Sequence, residues 1–469
     1  MVLVLTVVVL QSISFANYAL TTTTTNIIYG SAPYLTFDGG RTRVTNTAAL
    51  LGISLSDGRT FTPTTNNSRD NPIVLPVAGQ SFADIGMLVP TNTNSIALSS
   101  LIGTPYNYWG DDDGDGQGID GITATGSLSV SIVDNWNRPV ARNEVPTICK
   151  APYKLTLSSD SGTLKTRYGV PNESRFTAGY TTYYINPKAA PAICYARPYY
   201  EGGGISADVW KFGWGFLPQS VTPSSYGLNF PTTGANNLYF DLDIAGTNQD
   251  LSWAPVSHGG ITATMTNSTD MYHTKYRIVK VTLTGPVATE SQWSSDNPGQ
   301  VDRLSLPQVF ELVGRDSSGN AVVKYGFELK QWFVNRGPNW YSYSSVESWC
   351  NKIGGYRVPN VRDLTNASCQ GVMGTRYCQG AVGATPSSPY NKALHHIGGG
   401  LFSEWGEMNR YHGANFPLSK SPNSDWLKYW TQDRVGSTQK FFFVYSFDGM
   451  MYSDNGNIGN KVGGLCVYP

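Results

Sequence analysis

The chain has 469 residues, with 33 basic and 33 acidic side chains, and charged residues make up 14% of it. This neutral composition, without a basic stripe or a polybasic segment, argues against nucleic acid and anionic lipid as partners. The abundance of Gly, Thr, Ser, Asn and Tyr favours β-rich extracellular modules over a helical cytosolic enzyme, and the length allows about three domains.

The chain begins with an apolar segment, residues 1–10, followed by small residues around Ser14 and Ala16 that suit a signal peptidase. No basic residue precedes this segment, so it is either a signal peptide or the truncated start of a longer chain. It is shorter than the roughly 20 apolar residues of a membrane span, and no later segment reaches that length. We therefore expect a leader over residues 1–26 and a mature part that is not transmembrane.

Residues 27–198 show the period of two that is typical of half-buried strands. Apolar residues alternate with serines over residues 128–132, and residues 153–157 repeat that alternation. Residues 181–187 form a further predicted strand that ends at a proline. The pattern predicts one β-sandwich-like domain over residues 27–198.

An acidic loop lies within this region. Asp111, Asp113 and Asp115 stand at alternate positions and are followed by a glycine, as in the first half of a DxDxDG calcium loop. Loop position twelve holds Ile122 instead of a carboxylate, and Asp120 could replace it. Calcium is the cofactor that this loop predicts. The alternative is a solvated acidic turn between strands.

Residues 199–334 are predicted to form a second β-rich domain. A turn over residues 316–320 separates two apolar stretches and predicts a β-hairpin. The predicted strands of this region are residues 210–216, 238–244, 276–284, 310–313 and 322–327.

The last region, residues 335–469, begins with an amphipathic helix. Apolar side chains fall at helical spacing over residues 346–353, and Gly354 and Gly355 end the helix. A second short helix is predicted after Pro359. Helices followed by strand signals indicate an α+β module.

Several motifs of this last region stand in a recognisable order. Cys350 on the first helix is followed by Gly-Tyr-Arg-Val-Pro-Asn-x-Arg-Asp-Leu over residues 355–364, an inner cysteine pair, Trp430-Thr431 and a cysteine in the last strand. This order resembles a C-type-lectin-like domain and, more narrowly, the tip of bacterial intimin/invasin-type adhesins. Residues 190–198 and 323–334 are similar to the adhesin regions that precede such a tip. The alternative is another small disulfide-tied α+β surface domain.

The six cysteines form no CxxC motif and have no histidine at zinc spacing, so we expect three disulfides and an oxidising compartment. Many pairings are compatible with six cysteines. Locality and the resemblance together imply these pairs: Cys149–Cys194, Cys350–Cys466 and Cys369–Cys378.

The resemblance implies a bacterial cell-surface or secreted adhesin that binds a host-cell or neighbour-cell receptor without enzymatic activity. The vertebrate-type calcium signature of lectins is missing, so calcium-mediated sugar binding is not implied. Aromatic side chains flanked by Asn and Asp over residues 401–457 suit either sugar stacking or a protein hot spot. Trp430 is expected to fill the core. The candidate receptor contacts are Glu404, Trp405, Tyr411, Trp426, Tyr452, Asp454 and Asn455.

Two other functions stay open at this point. A secreted glycan-active enzyme would place carboxylates such as Glu404 and Glu407 in a cleft, and a surface-layer or phage-tail protein could use the same fold for display. No GxSxG motif is present, and the adjacent His395 and His396 are expected to be ordinary loop or surface residues. The predicted fold class is mainly β, with tandem β-sandwich-like domains followed by a C-type-lectin-like α+β module.

Overall fold

The computed structural model describes residues 29–65, 67–114, 121–199, 202–268, 277–370, 377–414, 416, 428–453 and 462–469. The protein is mainly β, as predicted, and divides into two compact units that meet in sequence between Lys188 and Ala189. The predicted leader lies outside the described residues. No helix in the described ranges is long and apolar enough to cross a membrane.

The N-terminal unit consists mainly of short strands. They are β1 Tyr34–Leu35, β2 Ile53–Ser54, β3 Thr60–Phe61, β4 Ile73–Val74, β5 Ser95–Ala97, β6 Trp109–Gly110, β7 Ile122–Thr125, β8 Ser127–Val133, β9 Tyr153–Ser159, β10 Gly162–Thr166, β11 Glu173–Phe176 and β12 Gly179–Asn186. Its helices are α1 Thr47–Leu50 and α2 Leu98–Leu101, with single 3-10 turns at Phe82–Asp84 and Ile148–Lys150.

Two sheets of the N-terminal unit share one hydrophobic core. The larger has the strand order β4-β12-β9-β8-β5 and the smaller has the order β11-β10-β7. Leu155 and Tyr183 of the larger sheet belong to the same buried cluster as Leu164 and Phe176 of the smaller one. The predicted alternation places every second side chain of β9 in this core. A shared core between two sheets is the arrangement of a β-sandwich.

The C-terminal unit contains longer strands and most of the helical residues. Its strands are β13 Ala192–Arg197, β14 Trp210–Lys211, β15 Gly215–Phe216, β16 Thr233–Ala235, β17 Tyr239–Ala245, β18 Ser252–Trp253, β19 Val256–His258, β20 Ile261–Ser268, β21 Arg277–Thr284, β22 Gln308–Arg315, β23 Ala321–Leu329, β24 Gln331–Asn335, β25 Lys428–Arg434, β26 Phe441–Tyr445, β27 Met451–Ser453 and β28 Leu465–Tyr468. Its helices are α3 Glu290–Trp293, α4 Tyr343–Lys352, α5 Val361–Leu364 and α6 Leu401–Trp405, with 3-10 turns at Pro223–Leu228 and Met408–Arg410.

The largest sheet of this unit has the strand order β14-β15-β13-β17-β21-β20-β19. The strands predicted at residues 238–244 and 276–284 correspond to β17 and β21. The predicted hairpin is formed by β22 and β23, which pair antiparallel. Its turn is closed by Asp316, whose carboxylate accepts the backbone N–H groups of Ser318 and Asn320 at 2.9 Å each.

The single strand predicted over residues 210–216 is wrong. The segment folds back on itself, because β14 and β15 pair antiparallel with Trp210 opposite Phe216. Gly213, with φ of 78°, lies in the turn between them. Trp210 and Phe216 are buried, whereas Phe212 is 71% exposed at the turn. Glycines at every second position here permit a tight hairpin in place of a continuous strand.

The boundary predicted between residues 334 and 335 does not separate two compact units. Strand β24 crosses it and pairs with β16 on one side and with β28, at the end of the chain, on the other. Four of the five residues of β24 are buried, from Trp332 to Asn335. A buried central strand needs hydrogen-bonded partners on both sides, so residues on either side of the predicted boundary share one core.

Helix α4 opens the last region as predicted. The side chain of Ser342 caps it by accepting the N–H of Ser345 at 3.3 Å. Gly354 and Gly355, with φ of 109° and 87°, end the following turn. Trp349 and Cys350 face the core.

Disulfides tie this last region together. Cys350 is bonded to Cys466 across 116 residues, and Cys369 is bonded to Cys378 across 9 residues. A loop as long as the first removes about 5 kcal/mol of unfolded-state entropy, in the chain-entropy account of disulfides. Cys149 and Cys194 are also disulfide-bonded, and their pairing with each other stays a prediction.

Candidate functional site

The predicted receptor contacts around α6 lie in the core. Glu404 and Trp405 are 0% exposed and Tyr411 is 2% exposed. All five residues of α6 are buried, so this helix is enclosed by the unit. A receptor cannot reach these side chains, and their prediction as receptor contacts is wrong. The aromatic and acidic composition of the segment serves packing and internal hydrogen bonding.

Glu404 is a buried structural carboxylate. Thr232 donates to it from its backbone N–H at 3.0 Å and from its hydroxyl at 2.6 Å. Thr233 donates from the same two groups at 2.9 and 2.6 Å, and the N–H of Gly398 donates at 2.7 Å. Burial raises the pKa of Glu404, while these hydrogen bonds oppose that rise. The network fastens α6 to β16 and the residue before it.

Trp405 and Tyr411 continue this internal network. The indole N–H of Trp405 donates to the carbonyl oxygen of Thr233 at 3.0 Å, and its ring packs 5.0 Å from that of Phe230. The Tyr411 hydroxyl donates to the carbonyl oxygen of Trp405 at 2.6 Å and accepts the N–H of Tyr199 at 2.8 Å. Both polar groups of these large side chains are thus satisfied within the core.

The carboxylate pair considered for a glycan-active enzyme is also internal. Glu407 is 5% exposed and accepts a hydrogen bond from Arg410 Nε at 3.0 Å. Together with the enclosed Glu404 it offers no surface on which a glycosidic bond could lie between two carboxyl groups. The prediction that these two residues share a cleft is wrong. His395, expected to be an ordinary loop or surface residue, is buried and stacks on Trp210 with ring centroids 3.8 Å apart.

Of the receptor contacts that the structure describes, Tyr452 is the one that is partly exposed. It lies on β27, an edge strand of the sheet β25-β26-β27. Its ring centroid is 5.5 Å from that of Tyr445 and 6.1 Å from that of Tyr377, and both neighbours are also partly exposed. We call Tyr377, Tyr445 and Tyr452 the tyrosine patch. Phe443, which is fully buried, stands opposite Tyr452 in the register of β26 and β27, and their ring centroids are 6.2 Å apart.

A cation lies beside the tyrosine patch. Lys428 stands opposite Tyr445 in the register of β25 and β26. Its Nζ lies 4.8 Å from the ring centroid of Phe443 and 5.8 Å from that of Tyr445. At such distances the ammonium group is attracted by the negative face of each ring. The patch therefore combines large rigid rings with a positive charge.

Burial shifts the pKa values of the groups around the patch. It raises the pKa of Tyr445 and that of Tyr452. A phenol is protonated at neutral pH even without such a shift, so both hydroxyls can donate hydrogen bonds. Burial also raises the pKa of the nearby Asp448, against the hydrogen bond from the Met450 N–H and the charge of Lys392. The arrangement suits recognition of polar groups by hydroxyl donors and an aromatic surface.

Three further predicted contacts, Trp426, Asp454 and Asn455, lie outside the described residues. In the sequence, Trp426 stands two residues before β25 and Asp454 directly follows β27. These positions adjoin, along the chain, the sheet that carries the tyrosine patch. Their participation stays a prediction.

The sequence reasoning missed Tyr377, Lys428 and Tyr445. Tyr377 stands beside Cys378 and Tyr445 ends an aromatic strand, and neither has the Asn and Asp neighbours by which the other candidates are selected. Lys428 and Tyr445 could have been found together from the pairing of β25 with β26, because this pairing sets the two residues opposite each other. Tyr377 comes from a distant loop, and only the tertiary fold brings it to Tyr452.

The predicted calcium loop is only partly described. Asp111 and Asp113 follow β6, and Asp113 accepts the backbone N–H of Ser31 at 2.7 Å. Asp115 and Asp120 lie outside the described residues. Within the ranges that the structure covers, no group of three or more His, Cys, Asp or Glu side chains is arranged to hold a metal ion. Calcium binding stays a prediction.

Comparison with known proteins identifies similar bacterial surface proteins. No family model matches the chain. The chain is 26% identical over 179 residues to the inverse autotransporter adhesin YeeJ of Escherichia coli strain K12, a match that covers 34% of this chain and 6% of YeeJ. The chain thus spans a small part of the length of that relative. The match confirms the resemblance to intimin/invasin-like adhesins, while the lectin-like character of residues 335–469 stays a prediction.

Two solved structures also resemble parts of the chain. The crystal structure of invasin, a bacterial integrin-binding protein, aligns with a TM-score of 0.33 and 13% identity, covering 75% of this chain and 52% of invasin. A 282-residue C-terminal fragment of intimin, in complex with the intimin-binding domain of the translocated intimin receptor, aligns with a TM-score of 0.31 and 12% identity. That alignment covers 76% of this chain and 90% of the fragment. TM-scores this low do not establish a common fold over the aligned lengths.

Proposed function

We propose that the chain is part of a bacterial surface adhesin and that its tyrosine patch binds a receptor on a host or neighbouring cell. The observation that carries the proposal is the cluster of partly exposed Tyr377, Tyr445 and Tyr452 beside Lys428. The sequence match to the adhesin YeeJ supports the class of protein. The receptor, whether protein or glycan, is bound without chemical change.

The physical properties of the patch suit recognition. Tyrosine offers a large contact area, loses little rotamer entropy on binding, and adds a hydroxyl that can donate or accept. Tyrosine is among the residue types enriched at the few positions that carry most of the binding energy in an interface. Phe443 and the sheet beneath hold the rings in place before the receptor arrives, which lowers the entropy lost on binding.

The rest of the C-terminal unit serves this site as a rigid support. The bridge from Cys350 to Cys466 fixes the chain end to α4, and the Glu404 network fastens α6 to β16. We propose a location on the cell surface or outside the cell, where the disulfides persist.

The proposal is tested with the full chain in a cell-binding assay. We expect Tyr452→Ala and Tyr377→Ala each to weaken binding at least about tenfold, which corresponds to about 1.4 kcal/mol. Tyr390→Ala is the matched control, because Tyr390 is 58% exposed in the same unit and belongs to no described aromatic cluster. Thermal unfolding of each variant shows that the fold is intact. Wild-type binding by both folded patch variants would refute the assignment of the receptor site.

A further inference from the structure

The N-terminal unit contains a pocket that the adhesin proposal does not use. Its volume is about 400 Å³, within the range of pockets that hold small ligands. The aromatic side chains of Phe37, Tyr106 and Tyr108 line it, together with the apolar Met87 and Val89. The lining also includes polar side chains, so the pocket is of mixed character.

A guanidinium group lines this pocket. Arg142 is 7% exposed, and its Nη1 donates to the carbonyl oxygens of Val89 and Pro90 at 2.9 and 2.6 Å. A longer contact of 3.5 Å joins Nη1 to the carbonyl oxygen of Thr93. The Nε atom is buried without a hydrogen-bond partner. All three described hydrogen bonds of the Arg142 side chain are thus donated by Nη1.

The charge of Arg142 has no described counter-ion. Its pKa is lowered by burial, and no nearby carboxylate counteracts that effect. The buried Arg197 differs, because it lies 3.1 Å from the carboxylate of Asp243. The buried Arg336 is similar to Arg142 in donating to backbone carbonyl oxygens, those of Trp293 and Ser345. A buried charge without an opposite charge is costly, and carbonyl dipoles offset only part of that cost. An anion that binds beside Arg142 would supply the missing opposite charge.

A second pocket adjoins the first. Its volume is about 370 Å³, and Phe37, Tyr106 and Tyr108 line both pockets, so the two pockets adjoin at these three side chains. Tyr106 and Tyr108 have ring centroids 5.6 Å apart, and the Tyr106 hydroxyl is held by Asn92 at 3.1 Å. The two pockets form one groove with aromatic surfaces along it, which we call the Arg142 groove.

The two ends of the groove differ in charge. Tyr34 and Trp109 line the second pocket, and the Tyr34 hydroxyl donates to Asp112 at 3.1 Å. The Asp112 carboxylate is paired with Arg43, whose guanidinium lies 4.8 Å from the Tyr34 ring centroid. That end thus carries a compensated pair of charges, whereas Arg142 at the other end has no described counter-ion. An elongated ligand with one negative group would place this group at Arg142 and its neutral part in the second pocket.

We propose that the Arg142 groove binds an acidic saccharide, with the carboxylate of a uronic or sialic acid residue at the guanidinium and the sugar rings against Tyr106 and Tyr108. The apolar C–H face of a sugar ring packs on an aromatic face, while its hydroxyls meet the polar rim at Thr91 and Asn92. A carboxylate suits a site with one guanidinium, because its single negative charge balances the single positive charge of the guanidinium. The two joined pockets favour an extended saccharide over a small free anion.

Calorimetric titration of the full chain with galacturonate, glucuronate and N-acetylneuraminate oligosaccharides tests the proposal. The matched ligands are their methyl esters, which keep the sugar and remove the charge. We expect each acid that binds to do so at least about tenfold more tightly than its ester, since hydrogen bonds to a charged partner are among the stronger ones. Arg142→Gln is expected to abolish this preference. Equal affinity for acid and ester, or no binding of any acidic saccharide, would overturn the proposal.

Two control variants separate the groove from general charge effects and from misfolding. Arg175→Gln removes a positive charge at a side chain that is 80% exposed in the same unit, and should leave the preference for the acid unchanged. Tyr108→Ala removes a partly exposed wall of the groove and should weaken acid and ester alike, so it decides the outcome if Arg142→Gln does not fold. Unchanged affinity in folded Tyr108→Ala contradicts the proposal. Binding of a short peptide carboxylate in place of the saccharides also contradicts it.

Discussion

Residues 401–411 and residues 428–453 have similar compositions, but the fold exposes their aromatic side chains to different extents. Both segments are rich in aromatic residues and carry acidic side chains. In the first, Trp405 and Glu404 are fully enclosed and hydrogen-bonded to β16. In the second, Tyr452 is partly exposed on an edge strand. The difference shows that aromatic–acidic composition identifies neither a core nor a contact surface, because position in the sheet decides which one forms.

The two segments differ in exposure because they pack against different parts of the fold. Segment 401–411 lies against the start of β16, where hydroxyl and backbone N–H donors of Thr232 and Thr233 would be unsatisfied without Glu404. Strand β27 has β26 on one side and no strand on the other among the described residues. Stability changes should therefore dominate in the first segment and binding changes in the second.

The largest effect on stability is expected from the disulfides of the last region. Replacing Cys350 and Cys466 together by serine should lower the free energy of unfolding by about 5 kcal/mol, and the same change at Cys369 and Cys378 by about 2.6 kcal/mol, since the longer loop gains more entropy when opened. Chemical denaturation followed by tryptophan fluorescence measures both values. Equal losses from the two pairs would show that loop length does not control the effect.

The next largest effect is expected at the buried carboxylate. Glu404→Ala should cost about 3–5 kcal/mol of unfolding free energy, because it leaves the donors of Thr232, Thr233 and Gly398 without their acceptor. Glu347→Ala, on the exposed face of α4, is the control and should change stability by less than about 0.5 kcal/mol. Calorimetry of both variants gives the comparison. A small loss of unfolding free energy in Glu404→Ala would show that Glu404 does not have the structural role described above.

Truncation of a side chain in residues 428–453 should have a smaller effect on the free energy of unfolding. Tyr452→Ala should lower the unfolding free energy by about 1–2 kcal/mol, because the ring is only partly buried, whereas Trp405→Ala should lower it by about 3–5 kcal/mol. Urea titrations of the two variants at one pH give both numbers. Similar losses at both positions would mean that Tyr452 belongs to the core, and the distinction between the two segments would fail.

The smallest effect is expected from pH. Burial raises the pKa of Asp448 in the folded chain, so between its unfolded and folded pKa the native state binds more protons than the unfolded state. Its contribution to stability is therefore present at low pH and is lost as the pH rises through the folded pKa. Asp448→Asn should remove this loss, so its stability relative to the wild type should increase with pH. Thermal unfolding over a pH series measures the trend, and a constant difference would contradict it.

Much of the local structure was predictable because it depends on periodicity. The alternation over residues 128–132 and 153–157 predicts β8 and β9, and the spacing over residues 346–353 predicts α4. The hairpin of β22 and β23 follows from its turn residues. The stretch 210–216 failed because two glycines allowed a reversal that a period of two does not reveal.

The candidate site was predictable only in part. Tyr452 was selected from its aromatic and polar neighbours in sequence, but the same criterion also selected the buried Trp405 and Tyr411. Tyr377 could not be found, since it reaches the patch from a loop that is 75 residues away from Tyr452 along the chain. Sequence neighbours report composition, whereas a binding surface depends on which side chains the fold leaves uncovered.

The sequence by itself determined the mainly β class, the helix that opens the last region, the expectation of three disulfides and the resemblance to adhesins. These properties depend on local periodicity, turn chemistry and cysteine content. The tertiary structure alone decided that β24 joins the two halves of the C-terminal unit, that Glu404 is an internal anchor, and that Arg142 lines a pocket without a described counter-ion. The physical reason is that burial and pairing are set by contacts between residues that are far apart in the chain, and neither has a local signature.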